Sequence, residues 1–217
     1  EKSSLDVAII ILEKSMAEKY LTVSKSVESI YKEKGSKFLS FLYPVTSVEE
    51  VKEYLTQLKK KYYDATHHCY AYIIGYDKET FRMNDDGEPS STAGKPIYGQ
   101  LQSNDLTNVL LVVVRYFGGT KLGVSGLIKA YKESSAECIA LAEIVERQVK
   151  NKYNIYFAYE DMNVVMNILK QNNAEQKNQI FDLNCQIEVL IEKRNVTKFE
   201  NSFPPNTTIT LEFISEE

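Results

Sequence analysis

Four glycines fall within nine positions in "RYFGGTKLGVSGLIKAY" at 115–131, between an apolar run and a segment of helical periodicity. A strand that ends in such a loop and passes into a helix aims backbone N–H groups outward at the helix N-terminus, where the macrodipole favours an anion. Gly118, Gly119, Gly123 and Gly126 permit positive φ and close approach of a ligand to the main chain. Arg115, Lys121 and Lys129 could neutralise the ligand's charge; together with Lys132 they make residues 115–132 a stretch of four basic groups and no acid. Tyr116 and Phe117 could stack on a base or pack as core. Neither common nucleotide signature is met. Val124 and Ser125 stand where a Walker loop needs Lys and Ser or Thr, and no Gly-x-Gly occurs. Two readings follow: an anion or nucleic-acid contact, and a tight strand-to-helix corner with solvated lysines.

Two further clusters carry candidate chemistry. In "NDDGEPSSTAGKP" at 84–96, Asp85, Asp86 and Glu88 bring three carboxylates together, as a hard metal ion requires. The EF-hand spacing is absent, and Asp-Gly is also a turn dipeptide. Ser90, Ser91 and Thr92 could act as nucleophiles, but without a G-x-S-x-G elbow they could equally cap a helix. In "DATHHC" at 64–69, a strand places His67 and Cys69 on one face and His68 on the other. A His–Cys pair fits a cysteine nucleophile or a zinc site, yet the chain has only two histidines and no second Cys lies nearby. The plainer reading is a buried, hydrogen-bonded His67 beside a packed Cys69. No metal and no cofactor is assigned.

These clusters need a frame. The 217 residues suffice for one medium domain or two small ones, and the composition is that of a folded soluble chain. The net charge of −4 argues against a broad coat of nucleic acid. "VAIIIL" at 7–12 is too short to span a bilayer and lacks a signal peptide's basic flank. Three scattered cysteines point to a reduced, cytoplasmic setting, and the absence of a spanning run sets the expectation of no membrane partner. All nine glycines lie between Gly35 and Gly126, which divides the chain into a glycine-bearing unit and a glycine-free one, with a boundary near 142–152. Met16 opens the first unit, assigned to 16–145; the second is assigned to 150–217, and residues 1–15 form an extension without an assigned role.

In the first unit, "YLTVSKSVESIYKE" and "KFLSFLYPV" read as two strands joined at Gly35. Ser47 and Glu50 form a capping box for a helix with Val48, Val51, Leu55, Leu58 and Tyr62 on its buried stripe. "THHCYAYIIGY" and "ETFRMNDDGEP" read as strands, a short helix spans 94–102, and "NVLLVVVRYF" is a central strand covered on both faces. Leu127, Tyr131, Ser134, Cys138 and Leu141 mark the inner face of the next helix. The second unit reads strand, helix, strand, strand, short helix, strand, which is the ferredoxin-like βαββαβ order.

The segments "DATHHCYAYIIG", "NDDGEPSSTAGKP" and "LTNVLLVVVRYFGGTKLGVSGLIKAY", in this order with the "KFLSFLYPV" strand, resemble the YigZ/IMPACT family, and with the small C-terminal unit its bacterial YigZ branch. The resemblance implies an α+β protein of two domains. The first would share the fold of a small-subunit ribosomal protein domain and of domain IV of elongation factor G, and the second would be ferredoxin-like. It also implies translation regulation: eukaryotic members compete for an activator of the kinase that inhibits initiation during amino-acid starvation, a stress response. No reaction carries over. His67, Asp85, Asp86, Glu88, Gly94, Arg115, Gly118, Gly119, Gly123 and Gly126 fall on family motif positions, whereas His68 and Ser91 do not. The leading expectation is therefore a non-enzymatic, translation-associated protein that binds RNA or a ribosome-linked protein through Arg115, Tyr116, Gly118, Gly119, Lys121, Gly123, Gly126 and Lys129. The alternatives are a metal-dependent or phosphate-handling enzyme built on His67, Asp85, Asp86 and Glu88, and a protein–protein regulator without nucleic-acid contact.

Overall fold

The computed structural model describes residues 19–182, 184–205 and 208–216, so the extension read at 1–15 lies outside the described residues. The chain divides into two compact units, one spanning Tyr20–Arg147 and one built on the residues that follow.

The first unit is organised by a five-stranded antiparallel sheet of order β2-β3-β6-β4-β5. Its strands are β2 (Val27–Glu33), β3 (Ser36–Pro44), β4 (His67–Ile74), β5 (Thr80–Asn84) and β6 (Val109–Tyr116). Strand β6 lies in the middle, and Val109 through Val114 are all buried. That explains its unbroken apolar sequence, since both faces are covered. Helices α2 (Gly94–Ser103) and α3 (Gly123–Ala140) cover one face, in a core of Phe38, Leu42, Cys69, Ile97, Val113 and Tyr131 among others. Helix α1 (Val48–Lys61) covers the other, in a core with Phe41, Leu110, Val112 and Val114.

The stretch read as one strand before Gly35 is two. A bend after Val23 separates β1 (Lys19–Val23) from β2, and β1 leaves the main sheet to pair with β7 (Ile144–Gln148). β7 has only five residues, one of them intermediate and hydrophobic, so its sequence carries little alternation to announce it. Lys34 and Gly35, with φ of 45° and 81°, close the β2–β3 hairpin as a two-residue turn. At the start of α1, Ser47 Oγ accepts the Glu50 amide at 3.2 Å, while the Glu50 carboxylate takes the Thr46 amide at 2.6 Å, one residue ahead of the usual partner. On α3, Leu127, Tyr131, Ser134 and Cys138 face the core, but Leu141 is exposed because the helix ends at Ala140 and Leu141 is its C-cap.

The second unit contains β8 (Lys150–Ala158), α4 (Met162–Gln171), β9 (Glu175–Ile180), β10 (Asn184–Glu192), α5 (Val196–Glu200) and β11 (Thr210–Glu216). The antiparallel sheet order β11-β8-β10-β9 is the ferredoxin-like arrangement. Val165, Ile168 and Leu169 of α4 and Phe199 of α5 pack on Tyr153, Ile155, Ile187 and Val189 of the sheet. Strand β9 begins earlier than its apolar residues suggest, at Glu175, and Phe181 lies beyond its end. It is an edge strand, so its position is set by pairing to β10 more than by burial.

The three cysteines are free and buried. Among the described residues no helix is long and apolar enough to cross a membrane.

One contact ties the hairpin to the glycine-rich segment. A Cβ on Gly118 would sit 1.9 Å from the Gly35 carbonyl carbon and 2.1 Å from the Ser36 nitrogen, so the two main chains touch where no side chain fits. Gly118→Ala is expected to lower stability in urea unfolding by on the order of 3 kcal/mol, because backbone cannot swing aside as a flexible side chain can. A change under about 0.5 kcal/mol would show that this approach is not tight.

Candidate functional site

The register of β4 against β6 sets His67 opposite Arg115 and Cys69 opposite Val113, on the sheet face that α2 and α3 cover. His68, opposite Val114, points to the α1 face. Burial holds the His68 imidazole pKa below its ordinary value, partly offset by Asp86. The alternation read from the sequence places these three side chains correctly.

The three carboxylates do not converge. Asp85 Oδ1 accepts the amides of Ala93 and Gly94 at 3.0 and 2.8 Å, and its Oδ2 accepts that of Ser91 at 2.9 Å. Asp85 therefore closes the 85–94 loop and supplies the N-terminal cap of α2, the role the sequence offered to Ser90, Ser91 or Thr92. Thr92 instead donates to the Pro89 carbonyl at 2.6 Å. Asp86, at φ 43°, accepts the His68 amide through Oδ2 at 2.7 Å and faces Lys59 of α1 at 3.5 Å. Glu88 turns inward. Among the described residues no group of three or more His, Cys, Asp and Glu side chains could hold a metal ion. Carboxylates with this many amide and cation partners serve the fold, and the metal-dependent reading of His67, Asp85, Asp86 and Glu88 finds no geometry here.

Glu88 lies at the centre of a buried polar network. Its Oε1 receives Arg115 Nη1 at 2.6 Å and Tyr131 Oη at 2.8 Å, and its Oε2 faces His67 Nε2 at 3.8 Å. His67 Nδ1 lies 2.8 Å from the Asp86 carbonyl, which only accepts, so Nδ1 carries a proton and donates it there while Nε2 turns toward Glu88. The Cys69 thiol has the Asp85 carbonyl at 3.0 Å and Tyr131 Oη at 3.3 Å within reach. Burial drives the Cys69 pKa far above the usual thiol range, which disfavours the thiolate that a nucleophile needs. The Tyr131 hydroxyl is likewise driven up, by burial and then by its Cys69 and Glu88 neighbours.

Arg115 is therefore not available to a ligand. It is 5% exposed, bound to Glu88, and lies over the rings of Phe38 and Phe117, 5.5 and 5.8 Å from their centroids. Sequence position placed it at the mouth of the glycine loop, but its side chain follows the inward face of β6. Its Nη2 approaches Ser36 Oγ at 3.4 Å, and the same oxygen accepts the Gly118 amide at 3.2 Å. Tyr116 takes the opposite sheet face and donates its hydroxyl to Asp64 at 2.8 Å.

Beyond Gly118 the chain emerges. Residues 117–121 and 123–125 are exposed, as are Lys121 and Lys129. Gly119 and Gly123 have φ of +85° and +71°, and a Cβ on either would meet open space, so glycine serves the backbone conformation there. Gly126 has a packing reason, since a Cβ would come within 3.1 Å of Leu122 Cβ. Helix α3 runs 18 residues from this loop with no side-chain N-cap and no acid in its first turn. The first-turn amides thus face the loop with the helix dipole behind them. The sequence signal missed was the Glu88–Arg115–Tyr131 triad, whose members are 27 and 16 positions apart and carry no local pattern.

Glu88→Gln is expected to cost about 3–5 kcal/mol in urea unfolding by stranding the Arg115 charge, and Glu88→Gln/Arg115→Met is expected to recover part of that loss. Strict additivity of the two single changes would contradict a direct pair.

The Impact N-terminal domain matches residues 34–139, from the β2–β3 hairpin through α3. The chain is similar to the IMPACT family member YvyE of Bacillus subtilis (strain 168), at 34% identity over 184 residues covering 85% of each chain. It is similar to the IMPACT family member YigZ of Escherichia coli (strain K12), at 28% identity over 84% of this chain and 90% of that one. A crystal structure of a hypothetical protein aligns with a TM-score of 0.74 at 27% identity, covering 93% of this chain and all of the other. With both units matched in sequence and in structure, the chain belongs to the IMPACT family.

Proposed function

We propose that this protein is a non-enzymatic, translation-associated binding protein whose first unit grips the phosphates of RNA. The observation that carries the reading is the uncapped, acid-free N-terminus of α3, fronted by an exposed glycine loop with Lys121 and Lys129. Amides and ammonium groups of this kind position a backbone and do not read sequence. Gly119 and Gly123 leave room for a phosphate to approach the main chain, while Gly118 and Gly126 hold the loop in place. Arg115 acts behind this surface, as the charge that fixes the loop's root. The three buried, free thiols suit a reducing compartment such as the cytoplasm.

A protein partner is the second reading, favoured by one observation: Val124 and Ile128, one turn apart on α3, are exposed at 59% and 39%. They lie beside the same lysines, so a ribosome-linked protein with an acidic, apolar contact would fit this helix face. Capture that survives nuclease and high salt would favour it.

Lys121→Glu/Lys129→Glu is expected to weaken RNA binding at least tenfold, measured by filter binding at about 50 mM salt, and to flatten its salt dependence. Both side chains are solvent-facing, so the fold should be unchanged. Equal affinity of the variant and the unaltered protein would refute a phosphate grip at this loop.

A further inference from the structure

Helix α1 covers only part of its face of the five-stranded sheet. Its core reaches β3, β6 and β4, and leaves the β2 side of that face open as a groove of about 470 Å³. Two cross-strand rows line it. Lys32 pairs with Lys37, which pairs with Tyr116; Ile30 pairs with Leu39 one row away, about 7 Å along the strands. Phe117 closes the end where β6 stops, and Gly35 forms the rim.

Two features mark this as a site and not an unfinished core. Lys32 and Lys37 are directly opposite on adjacent strands, a like-charge pair that costs stability and that a bound anion would relieve. Neither is in an ion pair among the described residues, and both are exposed. Second, the aromatic end is held in place. The buried Arg115 lies over one side of the Phe117 ring, the Phe117 amide donates to Thr66 Oγ1 at 3.3 Å, and Tyr116 is tethered to Asp64. Asp64, at the Tyr116 end, disfavours a phosphate there and directs it to the lysine row. Glu28 shares the face but lies four residues before Lys32, beyond the apolar row.

We infer that this groove binds a segment of single-stranded nucleic acid, with phosphate at Lys32 and Lys37 and a base against Phe117 and Tyr116 over the Ile30–Leu39 floor. Ammonium groups beside fixed rings are what single strands require, and a duplex, with its base faces hidden, cannot use the rings. An acidic peptide would engage the lysines without needing the aromatic end. The Gly35–Gly118 contact makes the groove and the glycine loop neighbours on one unit, so a strand could pass from one to the other. The inference deepens the RNA reading above by naming single strands as its ligand, but its residues are separate from the loop's, and the two can fail separately.

The test is fluorescence anisotropy on the full chain with a 5′-labelled 12-mer oligouridylate and a 12-base-pair RNA duplex. Phe117→Leu, which keeps an apolar side chain but removes the ring, is expected to weaken oligouridylate binding roughly tenfold and leave the duplex unaffected. Lys32→Ala/Lys37→Ala, at exposed positions that do not endanger folding, is expected to reduce the slope of log affinity against log salt by about 1.4, at about 0.7 per phosphate contact. If these variants bind oligouridylate as the unaltered protein does while Lys121→Glu/Lys129→Glu does not, the groove is overturned and the loop stands. If the groove variants lose affinity and the loop variant does not, the groove stands and the loop reading falls. Equal losses for the single strand and the duplex on Phe117→Leu, or full displacement of the oligonucleotide by an octaglutamate peptide at equal concentration, would also overturn it.

Discussion

The Arg115 guanidinium carries a charge that cannot be given up, and it sits inside the first unit at the end of the central strand. Such a charge is tolerated only beside a carboxylate with good geometry, and Glu88 provides it from a turn 27 positions earlier. Each neighbour of this pair is thereby fixed. Tyr131 brings α3 to Glu88, His67 brings β4, and Ser36 links Arg115 to the Gly118 amide. The loop that follows is rooted at one end by this network and at the other by the start of an 18-residue helix. A short exposed loop held at both ends can present amides in one arrangement without a disulfide, a metal or a long insertion.

Glycine completes the arrangement in two different ways. Gly35 and Gly118 are required because two backbones touch, which binds the hairpin to the end of β6. Gly119 and Gly123 are required because the chain turns through the left-handed region where nothing crowds it. A run of glycines that looks uniform in sequence thus separates into structural and conformational positions. The exposed ones border the proposed phosphate contact.

Much of the frame was legible from the sequence because it rests on local signals. The 3.6-residue stripe of α1, the continuous apolar run of β6 and the βαββαβ order of the second unit each follow from periodicity. The site was legible only in part. The alternation of β4 assigns His67 and Cys69 to one face, but proximity in sequence made Asp85, Asp86 and Glu88 look like one cluster. They diverge because Asp85 serves nearby amides, Asp86 serves His68 and Lys59, and Glu88 answers a charge on a distant strand. Arg115 turns inward for the same reason: whether a strand-end side chain faces in or out depends on register, and register is a property of the paired strands. Strand β7 and the split of β1 from β2 are likewise fixed by pairing between segments more than a hundred positions apart.

In the proposed function, a loop rooted by the Glu88–Arg115 pair presents the amides at the start of α3 to an anionic backbone. Amide chemical-shift mapping of the full chain during titration with an unlabelled RNA oligonucleotide reads out this contact residue by residue. Saturable shifts are expected at Gly119, Gly123, Val124 and Ser125, with the amides of β10 in the second unit unmoved. Unchanged shifts at those four residues while RNA binds elsewhere on the chain would contradict it.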